Sequence, residues 1–455
     1  MDEKRPIRVA IVGSGMAGLV TAWLVHRDPS MRYSVKLFEL GDSLSLDAAS
    51  VSIPNVAQTS TDRVDLPMRA FAGGFYSNLK ALYDHLGIRY HSQRFLFEFA
   101  KALPETHKST PDRYDSSYFI HASNFHQPEP RPKMLSTVAF VIETAYLLVC
   151  YIWFTICCLM VPPREGLRAE TLGEYLQRVW VPEYFVTYYI LPLLSSVATC
   201  PHAALLGFPA SDIIDYKRRT HGAPHYTVSN GVHTVQERLV SGIDYELSTA
   251  VSAVEPREKG VDVSWSRKRG GQHVLQTEHF DRVVLAVAPD IVGRIFKPLR
   301  RHMDKIPTTW VKSVVHSDLR AIGVDDCSAG NTNGAQLIYL RTSAQETHQT
   351  ESHHVQPSGA IVTTCPFTQI DPALEIHSAN FTRVLRTPES RRIVNNLFGD
   401  DLRTTPDEKP LGAWKNGDGG VWLVGGWCWD GMVLLEGCIV SAMRIAKAFE
   451  VEVPW

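Results

Sequence analysis

The stretch Ile7-Arg8-Val9-Ala10-Ile11-Val12-Gly13-Ser14-Gly15-Met16-Ala17-Gly18 decides the fold. Its first half is β-branched and apolar apart from Arg8, as a buried parallel strand requires. Its second half is a GxGxxG turn, after which residues 19–27 read as a helix. A second strand over 34–38 ends at Glu39, 21 residues past Gly18. Each part has a mechanical reason. Gly13 permits the tight turn, Gly15 lets a pyrophosphate approach the backbone, and Gly18 lets helix and strand pack closely. The phosphates then sit at the positive end of the helix while Glu39 accepts from a ribose 2′-hydroxyl. An acid at 39 disfavours a 2′-phosphate on that ribose.

The rest of the chain bounds what this unit belongs to. At 455 residues it is long enough for two or three domains and a large core. Hydrophobic residues at 44% and charged residues at 21% describe a globular chain, not a disordered one. A net charge of −2 argues against nucleic acid as a partner, since gripping phosphates needs a basic balance or stripe. The eight cysteines form no CxxC pair, which implies a reduced compartment and no structural zinc. Met1-Asp2-Glu3-Lys4-Arg5 lacks the apolar core of a secretory signal, so an intracellular protein is expected and the Asn380-Phe381-Thr382 sequon goes unused.

The glycine motif does not separate NAD from FAD; the C-terminal end does. Residues 421–426 read as a strand running into Gly425 and Gly426. Trp427-Cys428-Trp429-Asp430-Gly431 follows, and from Glu436-Gly437 a helix runs over 438–449. A strand–glycine–helix unit returning to the N-terminal nucleotide site is a flavoprotein arrangement, because it brings a second helix N-terminus to the cofactor. Between the two ends, 245–251, 260–264 and the buried run 280–289 read as strands.

On these residues the chain resembles the FAD-dependent amine oxidase, phytoene desaturase and protoporphyrinogen oxidase superfamily. It is more similar still to an uncharacterised group described as predicted NAD/FAD-binding proteins. Val64-Asp65, Phe71, Tyr76 and Asn78-Leu79 fall where that group has its VDxGF…F…YxNL segment. His316-Ser317-Asp318 stands where it has HTD, and Gly231 where it has glycines ahead of a helix. The resemblance implies an α/β protein. Its Rossmann-type FAD-binding domain would be assembled from residues 1–75, 205–300 and 410–455, with an α+β substrate domain from 76–204 and 301–409. It further implies that Gly13, Ser14, Gly15, Ala17, Gly18, Glu39, Val251, Gly425, Gly431, Glu436 and Gly437 hold FAD. The chain departs from the pattern at Ser45-Leu46, where the superfamily has a second pair of glycines, and at Pro67, where a glycine is usual.

The middle of the chain suggests an oily partner. Residues 134–161 contain one charge, Glu143, and 144–161 are 18 residues with none, which meets the length for a membrane helix. Arg131 and Lys133 flank it on one side, Arg164 and Arg168 on the other. A single crossing would split the nucleotide domain across the bilayer. The run is therefore an in-plane anchor, one arm of a hairpin whose other arm is 184–200, or a core helix of the substrate domain. Residues 104–133 read as a long loop or lid, and His348, His353 and His354 as part of a polar loop with Glu346 and Glu351 that matches no metal-ligand spacing. Arg267-Lys268-Arg269 reads as a hairpin tip.

The expected activity is that of an FAD-dependent oxidoreductase abstracting hydride from a hydrophobic small metabolite, such as an isoprenoid, polyketide or fatty acyl chain. A flavin-dependent isomerase or cyclase and a non-catalytic scaffold are the alternatives. Neither a metal nor a catalytic base is assigned. Tyr226 and His233 flank the Gly231 turn as weak acid–base candidates, Trp427 and Trp429 could wall a flavin ring, and Cys428 is either a flavin attachment point or a packed thiol.

Overall fold

The computed structural model describes residues 5–54, 61–102, 117–133, 135–166, 169–269, 272–322, 334–343, 348–399 and 414–455. Ile7–Val12 is the middle strand of a five-stranded, all-parallel sheet. The strand order is Asp244–Glu246, Tyr33–Phe38, Ile7–Val12, Arg282–Leu285 and Val421–Leu423. Val9 to Val12 are buried because helices cover the sheet. The helix Met16–His26 is buried at every residue but its last. The sheet lies along one side of it, and the helices Leu435–Ala448 and His233–Val240 pack on the others. That environment explains why it is apolar all round.

The connection from Asp244–Glu246 to Arg282–Leu285 is a three-stranded antiparallel sheet, Thr249–Pro256, Val261–Arg269 and Gln272–Phe280. The single strand expected over 245–251 is therefore two strands in different sheets. The break falls at Ser248, whose φ of 54° turns the chain. Arg267 to Arg269 end a strand of this hairpin, and its tip lies outside the described residues.

A seven-stranded sheet forms the second unit. Its order is Glu375–Val384, Thr308–His316, Ile361–Thr364, Thr350–Val355, Gln336–Thr342, Phe95–Lys101 and Ser117–Ala122. Gln336–Thr342 and Phe95–Lys101 run parallel, the other neighbours antiparallel. Two sequence expectations are corrected here. The polar residues around His353 and His354 form an interior strand, not a solvated loop, and Glu351, His353 and His354 are all buried. Of the lid expected over 104–133, residues 103–116 lie outside the described residues and Ser117–Ala122 is the edge strand of the sheet.

The apolar run is a 24-residue helix, Thr137–Met160, started by the Ser136 hydroxyl accepting from the Ala139 N–H at 3.2 Å. It is not a core helix. Leu147, Cys150, Phe154, Cys157 and Cys158 are buried, whereas ten large apolar side chains on its other side are exposed. The second run, 184–200, is no hairpin arm either. Glu183–Phe185, a wide π-turn Val186–Ile190 and Leu191–Ala198 make a helix that buries Phe185, Tyr189, Ile190 and Leu191 against the protein.

Candidate functional site

The glycine turn is built as its spacing implies. At Gly13 φ is +103°, and a Cβ there would lie 2.6 Å from the Ala286 carbonyl oxygen. At Gly18 a Cβ would lie 2.0 Å from the Gly13 oxygen, so helix and strand meet closer than any side chain allows. Gly15 differs. A Cβ there would meet only the Ser45 hydroxyl, at 3.9 Å, so the space in front of it is open. No side chain caps the helix that Gly15 begins. Its N-terminus therefore presents backbone donors and the positive end of the dipole to that space. Glu39 is buried at the end of Tyr33–Phe38. One of its oxygens accepts from the backbone N–H and the hydroxyl of Ser14, the other from the Gly41 N–H at 2.9 Å. A carboxylate accepts about four hydrogen bonds, so acceptor capacity remains for a ribose hydroxyl. The open cradle, uncapped helix and buried acid fit the nucleotide end of a dinucleotide.

Ser45 and Leu46, the residues that replace glycines, stand over this turn. The Ser45 N–H donates to the Ser14 hydroxyl at 2.8 Å, and both residues line the space in front of Gly15. The C-terminal loop reaches the same space. Gly425, Gly426, Trp427, Leu434, Leu435 and Cys438 line it together with Gly15, Met16 and Ala17. Arg386, almost fully buried, holds the loop by donating to the carbonyls of Trp429 at 2.7 Å and Gly431 at 2.8 Å. Its position follows the Val384 end of the seven-stranded sheet, so this one side chain ties the two units together.

From the glycine turn the space runs on as one cavity of about 970 Å³, at the upper end of the ~300–1,000 Å³ of small-molecule sites. Beyond the turn its walls are aromatic and aliphatic: Phe95, Phe97, Phe99 and Phe119 from the large sheet, Leu147, Tyr151 and Phe154 from the long helix, Phe185 and Tyr189 from the following one. Two arginines interrupt the apolar lining. Arg69 donates to the Leu46 carbonyl at 3.2 Å, while its Nε is buried without a partner. Arg383 donates to the carbonyls of Ala198 and Val197 at 3.0 and 3.1 Å. Burial pushes both guanidinium pKa values down, and the two repel each other. Arginine remains charged under such pressure, so this end of the cavity is electropositive.

Imidazoles face the chamber as well. His354 donates its Nε2–H to the Gln336 side-chain oxygen at 2.7 Å, and its Nδ1 is buried without a partner. Burial lowers its pKa to about 4, so it is neutral at pH 7. His225 has an unpartnered Nδ1 too, and burial and then His121 lower its pKa. At the far rim, Lys217 donates to Tyr151 Oη and contacts His221 Nδ1, both at 2.9 Å. Its charge keeps His221 neutral by lowering its pKa.

Of the residues named from sequence, Gly15, Ala17 and Gly425 line the cavity, and Gly13, Ser14, Gly18 and Glu39 shape the turn behind them. The others lie elsewhere. Glu436 turns away to cap the helix Ser77–Leu86, accepting from the N–H groups of Asn78 and Leu79 at 3.0 Å and from the Asn78 amide at 2.6 Å. Gly437 and Gly431 pack against the Trp429 indole, and Val251 pairs with Trp265 in the antiparallel sheet. Cys428 is buried outside the cavity lining, with burial pushing its thiol up, so it is a packed thiol here; Cys438 lines the space instead. Trp427 forms wall, while Trp429 is core and donates to the Met432 carbonyl. Tyr226 stacks on Phe71, and His233 contacts Asp47 at 3.2 Å; neither lines the cavity. The His316–Asp318 segment also lies off the cavity, with His316 Nε2 on the Thr363 hydroxyl at 2.7 Å. The Asp65 segment has a structural use: Asp65 accepts from the Val232 N–H, just after Gly231, whose φ is +73°. Among the described residues, no cluster of three or more His, Cys, Asp or Glu is placed to hold a metal.

Residues 11–86 match the family described as "NAD(P)-binding Rossmann-like domain". No curated protein matches the chain. Among the solved structures that match, an oxidoreductase from Methanosarcina mazei aligns over 97% of this chain and 100% of its own, with a TM-score of 0.56 and 12% identity. At that identity the likeness is one of fold. The chain is a mixed α/β protein with a Rossmann-like dinucleotide-binding unit and a second, sheet-rich unit.

Proposed function

We propose that this chain is an FAD-dependent oxidoreductase, built like the amine oxidase superfamily, that acts on a hydrophobic small molecule. The observation that carries the reading is the continuity of the cavity. One space joins the Gly15 turn, the C-terminal Gly425–Gly426 loop and a chamber walled largely by phenylalanines. A cofactor reaching from the first to the second would be held by both ends of the chain and would end at the apolar chamber, which suits a resident flavin better than a nicotinamide that must exchange. Bound there, FAD would supply the redox chemistry by accepting a hydride from substrate.

The chain's own contribution is binding, orientation and exclusion of water. Gly15 and the uncapped helix behind it receive the phosphates, and Glu39 receives the adenosine ribose. Arg69, with its free Nε, and Arg383 supply positive charge where the cofactor's anionic groups would lie. The phenylalanine walls desolvate an apolar substrate, which strengthens every polar contact inside. The unpartnered Nδ1 atoms of His354 and His225 are polar groups left to orient a substrate, and neutral His354, protonated at Nε2, offers its Nδ1 as an acceptor for a substrate hydroxyl.

The test is the visible absorption spectrum of the purified protein, before and after denaturation and after incubation with FAD. Flavin bands that leave with the supernatant, and that bleach when an apolar substrate is added without oxygen, support the reading. A colourless protein that takes up no added FAD overturns it. Bands retained by the precipitate would overturn the non-covalent site described above.

A further inference from the structure

The helix Thr137–Met160 has two apolar faces, and the protein covers only one. Val138, Val141, Ile142, Val149, Ile152 and Ile156 recur at helical spacing along the other, each between 46% and 71% exposed. At 1.5 Å per residue the stripe is about 27 Å long. Of the 22 large apolar side chains exposed among the described residues, ten belong to this helix. Trp180, 85% exposed, extends the patch, because the Trp153 indole donates to the Val179 carbonyl at 2.9 Å and so brings the two tryptophans to one place. A helix apolar all round is ordinarily covered all round, and a surface patch this large marks an interaction site.

We propose that this face docks in the plane of an anionic phospholipid bilayer. The charges around it favour that occupant. Arg131 and Lys133 are exposed before the helix and Arg164 after it, and no charged residue lies between 144 and 163. Glu143, the one acid on the helix, is turned inward to the hydroxyls of Tyr184 and Tyr189. Glu165 is held by Arg391 at 2.9 Å, which leaves Glu183 as the exposed acid beside Tyr184. A second copy of the chain fits this pattern badly. A two-fold contact along the helix brings basic ends together whether the helices run parallel or antiparallel, and like charges across an interface are repulsive. Anionic headgroups neutralise both ends at once, and an exposed tryptophan such as Trp180 suits such a boundary, with its indole N–H in the polar layer and its ring in the apolar one. The helix lies along the membrane and does not cross it, because its inner face is packed on the protein and strands from before it and after it, such as Ser117–Ala122 and Thr308–His316, share the seven-stranded sheet. Leu148 belongs to both surfaces, 54% exposed and also lining the cavity, so the docked face adjoins the chamber.

The proposal does not depend on the flavin reading, and its test uses no activity. The full chain is sedimented with phosphatidylcholine vesicles, with and without phosphatidylserine, at low and high salt. Expected is binding that strengthens at least tenfold with phosphatidylserine and weakens with salt. The double variant Ile152→Asp/Ile156→Asp should lose binding to both vesicle types at least tenfold, with an unchanged circular dichroism spectrum and melting temperature. The triple variant Arg131→Glu/Lys133→Glu/Arg164→Glu should lose only the phosphatidylserine dependence, which keeps the test open if the first variant misfolds. Failure of the wild-type chain to sediment with either vesicle overturns the proposal. So does a lipid-free dimer that Ile152→Asp/Ile156→Asp converts to monomer, which would make the face an interface between copies.

Discussion

Three buried histidines give the fold a specific response to acid. His202, His316 and His354 are each below 10% exposed, each bonded through Nε2 to a neutral oxygen, and burial lowers each pKa to about 4. An unfolded histidine titrates near 6.5. As pH falls below that value the unfolded chain takes up protons that the folded chain refuses, so stability is lost on acidification. Between pH 7 and pH 5 the loss is about 2 kcal/mol for each histidine and about 5–6 kcal/mol for the three. Asp65 and Asp212 act in the opposite sense. Burial raises both to about 6, so the folded chain takes up their protons in the same interval and regains about 1.3 kcal/mol for each. The histidines win, and these five groups together predict a fall of about 3 kcal/mol, a large part of the ~5–15 kcal/mol of a typical domain. Urea unfolding followed by circular dichroism at the two pH values measures it. His202→Gln keeps a hydrogen-bonding group beside Thr350 but binds no proton, and it lies off the cavity. The variant should fall by about 1 kcal/mol where the wild type falls by about 3. Equal falls in the two proteins would refute the assignment.

Other substitutions separate the parts of the site. Gly15→Ala places a methyl in open space and should leave the melting temperature unchanged while cutting FAD occupancy at least tenfold; Gly18→Ala drives a methyl into the Gly13 carbonyl and should destabilise the chain itself, as thermal melts of the two will report. Glu436→Ala removes the cap of Ser77–Leu86 and should cost about 2–3 kcal/mol in urea titrations, with the flavin-to-protein ratio unaltered. Arg69→Met should raise the FAD dissociation constant about tenfold, roughly 1.4 kcal/mol, in a fluorescence titration, with the circular dichroism spectrum as the check on folding.

What the sequence made legible follows from where each signal resides. The strand–turn–helix at the N-terminus needs nothing beyond its own residues: a strand buried on both faces is apolar throughout, and a turn that must pass under a helix has no room for a Cβ at Gly13 or Gly18. The same holds for Arg282–Leu285 and Val421–Leu423. The strand Thr350–Val355 is the opposite case. Its polarity reads as a loop because its partners are distant in sequence: Glu351 accepts from the N–H groups of Phe367 and Thr368, His353 bonds the Thr363 hydroxyl, and the His354 Nε2–H donates to the Gln336 amide oxygen. A strand whose polar side chains each find such a partner costs less to bury, yet no local window shows those partners. Glu436 misled for a related reason. An acid at the start of the last helix suggests the cofactor, but the four donors that claim it come from Ser77, Asn78 and Leu79, more than 350 positions away.

The long apolar helix marks the limit of hydropathy as a guide. A core helix and a surface anchor have the same composition when one face packs on protein and the other meets lipid, since both solvents ask for apolar side chains. Periodicity fails with it, because a helix apolar on two faces has no polar stripe to reveal its orientation. What distinguishes the cases is which residues the rest of the chain covers. The buried set Leu147, Cys150, Phe154, Cys157 and Cys158 and the exposed set Val138 to Ile156 interleave at helical spacing, so only the fold assigns them to opposite sides. The same assignment puts the cavity and the uncovered stripe on the two sides of one helix. An apolar substrate taken from a bilayer would then have one wall to pass rather than a layer of water. On the membrane proposal, that would be the reason so much apolar surface is left uncovered.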